Sequence, residues 1–78
     1  MIAERKVLLT YPAHLVSQPL ISQLIRQYDL VTNILRAEVS EDAGWLLLVV
    51  RGESAQVEAG LAWIAGQGVQ VETYGEEA

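Results

Sequence analysis

The amino-acid sequence predicts an α+β domain in two layers, a four-stranded antiparallel sheet carrying two helices on one face. Three observations carry that expectation. Two stretches of helical period alternate with four of strand period, 51% of the residues are hydrophobic, and 78 residues leave room for one domain.

Taken in order, Lys6-Val7-Leu8-Leu9-Thr10-Tyr11 is rich in β-branched, aliphatic and aromatic residues, and Pro12, lacking an N–H for a ladder, closes strand one. Ser17 is expected as an N-cap and Pro19 in the first turn of a helix over Ser17 to Asp29. Its apolar arc is Leu20, Ile21, Leu24, Ile25 and Tyr28. From Leu30 to Ser40 the period becomes two, giving strand two. Its two sides are Val31, Asn33, Leu35, Ala37 and Val39 against Thr32, Ile34, Arg36 and Glu38. Glu41-Asp42-Ala43-Gly44 has turn composition, Trp45 to Arg51 returns as strand three, and Gly52 ends it. Ser54 is expected to cap a second helix with the core stripe Val57, Leu61, Ile64 and Ala65. Gly60 inside it allows close packing, and Gly66 and Gly68 supply the stop. Val69 to Tyr74 alternates as strand four, and Gly75-Glu76-Glu77-Ala78 is a polar tail expected to fray. The order β-α-β-β-α-β in a chain of this size describes a ferredoxin-like split βαβ sandwich. Right-handed crossovers then give the sheet order 4-1-3-2. A single domain over 1–78, structured from about 4 to 75, is expected.

Several function classes are set aside by composition. The chain has no cysteine, which removes disulfides, thiolate metal sites and thiol catalysis. Ten acidic residues against five basic ones give a net charge of −5, which repels phosphate backbones, so no nucleic acid is expected as a partner. The longest apolar run is Trp45 to Val50, far below the roughly 20 residues of a membrane helix, and no membrane insertion is expected. The opening Met1-Ile2-Ala3-Glu4-Arg5-Lys6 lacks the order of a signal peptide, so the expected location is the cytoplasm.

No catalytic residue, metal site or cofactor is expected either. His14 is the only histidine and reads as an exposed loop residue. The glycines at 44, 52, 60, 66, 68 and 75 form no phosphate-binding loop. Glu41-Asp42 and Glu76-Glu77 read as a solvated turn and tail. An acylphosphatase-like hydrolase would need a loop rich in glycine and arginine after strand one, and Tyr11-Pro12-Ala13-His14 offers neither.

The most informative surface is the sheet face turned away from the helices. Burying Arg51 unpaired is costly, so its side of strand three, with Trp45, Leu47 and Val49, is expected to face outward. By the same reasoning Arg36 and Glu38 carry Ile34 outward on strand two, and Lys6 carries Leu8 and Thr10 on strand one. Leu8, Ile34, Trp45, Leu47 and Val49 then form an apolar patch of roughly several hundred Å², a size that usually marks a partner surface. Two-fold pairing of identical chains is the expected arrangement. Trp45 and Trp63 read as core or interface residues rather than stacking platforms. Asn33 alternates toward the helix side, where its amide is satisfied either by loop backbone or by a ligand.

Val31-Thr32-Asn33-Ile34-Leu35 is similar to the Asn-Ile-Leu signature of the NIL domain family. Pro19-Leu20-Ile21-Ser22 resembles the same family's Pro-aliphatic-aliphatic-Ser segment. Gly52 and Gly68-Val69-Gln70-Val71-Glu72 also follow its pattern, so the resemblance spans about residues 4 to 75. It implies an ACT-related regulatory module of the kind found at the C-terminus of ATP-binding subunits of methionine importers, ABC transporters of bacteria. There two copies pair and bind methionine at their interface. By that resemblance Asn33 would hold the polar end of a small apolar amino acid, and Ile34 and Leu35 would wall its side chain. The short hairpin Glu41-Asp42-Ala43-Gly44 departs from the longer glycine-rich loop of those domains. Carrying no ATPase domain, the chain would meet a transporter or other protein partner in trans. The alternative is an adaptor that docks on a larger protein without a small ligand.

Overall fold

The computed structural model describes residues 1–40 and 42–74. Glu41 of the expected turn and the expected tail from Gly75 onward lie outside the described residues. The elements are β1 (Ile2–Pro12), a short 3-10 turn (Ala13–Leu15), α1 (Leu20–Tyr28), β2 (Val31–Val39), β3 (Ala43–Glu53), α2 (Ser54–Gly66) and β4 (Gln70–Thr73). Every pairing is antiparallel, in the order β2-β3-β1-β4, which is the expected order read from the other edge. The fold is α+β and ferredoxin-like.

Strand alternation places the core on one face. Val7, Leu9 and Tyr11 of β1 and Leu48 and Val50 of β3 are buried against Leu20 and Leu24 of α1 and Val57 and Ile64 of α2, with Leu30 and Val69 closing the ends. Each such aliphatic side chain contributes about 1.5–3 kcal/mol of hydrophobic burial. Leu30, between α1 and β2, reaches past two glycines. A Cβ on Gly60 would stand 2.9 Å from Leu24 Cδ1 and 3.0 Å from Leu30 Cδ1, and one on Gly52 would stand 2.7 Å from Leu30 Cδ2. Close packing at Gly60 is therefore as expected, whereas Gly52 lies inside β3 opposite Ala3 instead of ending the strand.

The helix boundaries differ from expectation for local reasons. α1 starts at Leu20, and Ser17 makes no capping bond, because Gln18 precedes Pro19 and a residue before proline is held out of the helical region. The chain instead turns twice, with Val16 N–H donating to the Ala13 carbonyl and Gln18 N–H to the Leu15 carbonyl. α1 ends on Asp29 in the left-handed region, φ 54°. Ser54 makes no side-chain cap for α2; its backbone N–H donates to the Met1 carbonyl at 2.8 Å. In α2, Ala65 is exposed and Gly60 takes its place in the buried stripe, and Gly68 at φ 106° turns the chain into β4. Trp63 is half-buried, its ring 6.2 Å from that of Tyr28 across the helix pair.

α2 lies over β1, β3 and β4 while α1 packs on α2, so β2 has a neighbour on one edge and little cover on either face. Val31 (67% exposed), Ile34 (51%), Leu35 (43%) and Val39 (64%) all remain open on it. Among the described residues no helix is long and apolar enough to cross a membrane.

Candidate functional site

The face of the sheet away from the helices is built from rungs that can be read directly from the pairing. Residues directly opposite in an antiparallel pair share a face. Leu8 stands opposite Leu47, Thr10 opposite Trp45 and Lys6 opposite Val49. Leu8, Trp45, Leu47 and Val49 are each half-buried, covered by their neighbours alone, as expected from strand parity. β4 extends the rungs, with Glu72 opposite Leu8 and Gln70 opposite Thr10, and the Gln70 side-chain amide donates to a Glu72 carboxylate oxygen at 3.1 Å.

On the other side, β2 breaks its own alternation. Ile34 pairs with Leu48 and Arg36 with Leu47, so two steps along β2 match one step along β3 and Leu35 is the extra residue of a β-bulge. A shift of one residue exchanges the faces of everything beyond it. Before the bulge Val31 and Asn33 oppose Arg51 and Val49 on the open face; after it Arg36 and Glu38 oppose Leu47 and Trp45 on that same face.

This register corrects the expected faces of four residues: Val31 and Asn33 stand on the open face, and Thr32 and Ile34 on the helix side. Asn33 does not point to the helix side: it is exposed on the open face, and its side chain makes no hydrogen bond within the described residues. Ile34 does not join the open face: it lies on the helix side of the uncovered edge, opposite the buried Leu48. The face assignments of Arg36, Glu38 and Ala37 hold.

Between these strands lies an open hollow of about 280 Å³ lined by Leu8, Thr10, Arg36, Trp45, Leu47 and Tyr74. Its floor is apolar, Arg36 stands at its β2 rim and Tyr74 at the other. Tyr74 is tied into the sheet by its N–H, which donates to the Lys6 carbonyl at 2.8 Å. Parity already places Thr10 and Arg36 on this face, and it puts Tyr74, next in line after Glu72 opposite Leu8, there too. What parity does not show is that Asn33 shares the face with Arg36, one same-face rung away, which follows from the bulge.

A second hollow, of about 190 Å³, opens between the end of β1, the first turn of α1 and the hairpin end of β2 and β3. Tyr11 forms part of its wall. The phenol is 7% exposed, its hydroxyl has no hydrogen-bond partner among the described residues, and burial pushes its pKa up to about 12. His14 is exposed, and among the described residues no three His, Cys, Asp or Glu side chains converge to hold a metal ion.

Comparison with known proteins bears on this arrangement. The NIL domain model matches residues 5–73. The chain belongs to the NIL domain family. It is similar to the methionine import ATP-binding protein MetN of Cupriavidus necator, 38% identical over 63 residues that make up 76% of this chain and 18% of that protein. The MetN protein of Lacticaseibacillus paracasei is 33% identical over 73 residues, 88% of this chain and 21% of that protein. This NIL chain thus spans about a fifth of the length of the curated relatives it matches. In fold it superposes on the C-terminal domain of an ABC transporter ATP-binding protein from Enterococcus faecalis with a TM-score of 0.80 at 22% identity, covering 94% of this chain and 86% of that one.

Proposed function

We propose that this NIL domain is a non-catalytic sensing module that binds a small apolar amino acid of the methionine type where two copies of the chain meet. The observation that carries the reading is the open sheet face. An apolar centre of Leu8, Trp45, Leu47 and Val49 has no cover among the described residues, and the bulged register puts Asn33 on that face beside it. Half-exposed side chains gain burial only from a second surface. A copy of the same chain supplies one by two-fold symmetry. Asn33 offers the amide oxygen and the two amide hydrogens needed to hold a polar group, while the exposed Ile34 and Leu35 add apolar surface at the strand's edge. The relatives' description as methionine import proteins supports an amino acid of that size and polarity, and a transporter subunit as the protein regulated. Isothermal titration with methionine, leucine and related amino acids tests it. Saturable heat is expected for the wild type and its loss in Asn33→Ala; flat titrations across the panel contradict it.

A second reading has its own observation. β2 is an edge strand of nine residues with free ladder groups and exposed Val31, Ile34 and Val39, the form on which a partner strand can add. An adaptor would dock there without any small ligand.

A further inference from the structure

We propose that Arg36 is the carboxylate anchor of this module: its guanidinium takes the carboxylate of a small apolar amino acid whose side chain lies in the hollow against Leu8, Trp45 and Leu47. The assignment rests on the amino-acid-binding reading above and names the group that reads the ligand's anionic end.

Geometry is the first support. In an unbroken strand, residues three apart point to opposite faces. The extra residue at Leu35 cancels that, so Asn33 opposite Val49 and Arg36 opposite Leu47 stand on one face at neighbouring same-face rungs of the edge strand. Bulges recur beside binding sites because they re-aim a side chain in this way. A guanidinium lining an apolar hollow, with an amide on the next same-face rung, matches the chemistry of a free amino acid. The guanidinium fork meets the carboxylate in a bidentate pair, the Asn33 side-chain oxygen accepts from the ammonium, and the hollow receives the apolar chain.

Charge is the second. The chain carries −5, so an anion is repelled over most of its surface and is held only close to a fixed cation. Three cations share the open face: Lys6 opposite Val49, Arg51 opposite Val31, and Arg36. Arg36 alone of these lines the hollow. It makes no ion pair or side-chain hydrogen bond among the described residues. The acidic groups on the nearby rungs are Glu38 opposite Trp45, and Glu72, which already accepts from Gln70.

The test is titration of the full chain with L-methionine and with L-methionine methyl ester, which lacks the anionic carboxylate, for wild type, Arg36→Gln and Arg36→Lys. Arg36 is exposed, so the variants keep the fold, and circular dichroism verifies it. The expected result is methionine binding weakened about tenfold or more by Arg36→Gln and less by Arg36→Lys, with the methyl ester binding wild type and Arg36→Gln alike. Methionine binding that is unchanged in Arg36→Gln overturns the assignment while leaving the amino-acid reading intact. Equal losses for acid and ester overturn it too. So does an Arg36→Gln variant that sediments as a single chain where the wild type is paired, since the guanidinium then belongs to the contact between copies. Absence of heat from the wild type with either probe overturns the amino-acid reading itself, and the assignment with it.

Discussion

β1 and β2 are strands of similar length and similar apolar content, 11 and 9 residues, but they have opposite fates. β1 lies between β3 and β4 under α2, and Val7, Leu9 and Tyr11 are buried. β2 lies at the edge beyond the helices, and none of its residues is buried. What separates them is position in the sheet, since β-branched and aliphatic residues suit either place equally. An edge strand that keeps Val31, Ile34, Leu35 and Val39 exposed presents an apolar surface that nothing among the described residues covers.

The register pair Ile34 and Leu48 puts this contrast on one rung, because Leu48 is 0% exposed and its partner 51%. Leu48→Ala is expected to cost about 2–5 kcal/mol in urea unfolding, through lost burial and the cavity left behind. Tyr11, at the far end of β1, gives an intermediate effect with a pH signature. Its pKa is raised from 10.0 in the unfolded chain to about 12, so the stability linked to it is complete below pH 10 and is lost as pH climbs from 10 through 12. The loss reaches roughly 2–3 kcal/mol at the top of that window. Tyr11→Phe should lack that component and lose little at neutral pH, since the hydroxyl has no partner among the described residues to give up. A wild type and Tyr11→Phe that weaken equally between pH 10 and 12 would contradict the buried phenol. The smallest effect belongs to Ile34→Ala, expected to cost less than about 1 kcal/mol. Equal losses for Ile34→Ala and Leu48→Ala would erase the distinction between the two strands.

The order of elements, the sheet order and the inward set Leu46, Leu48 and Val50 were all legible in the sequence, because alternation in β1 and β3 and the helical period in α1 express the same two faces. The start of α1 was misplaced because Ser17 resembles a cap, while Pro19 acting on Gln18 decides the matter. The bulge was the deeper miss. Counting residues along β2 assumes unbroken alternation, and an extra residue at Leu35 shows only against β3. That one slip exchanged the faces of Val31, Thr32, Asn33 and Ile34 and concealed the company of Asn33 and Arg36, so the family signature was visible in the sequence but the faces its residues take were not.

The pairing proposed for this NIL domain requires that a second copy cover the open face. Equilibrium sedimentation of wild type and Leu47→Asp tests this most directly, because Leu47 lies at the apolar centre opposite Leu8 and outside the core. The wild type is expected at the mass of two chains and Leu47→Asp at the mass of one. A wild type that sediments as one chain, or a Leu47→Asp variant that stays paired, would contradict it.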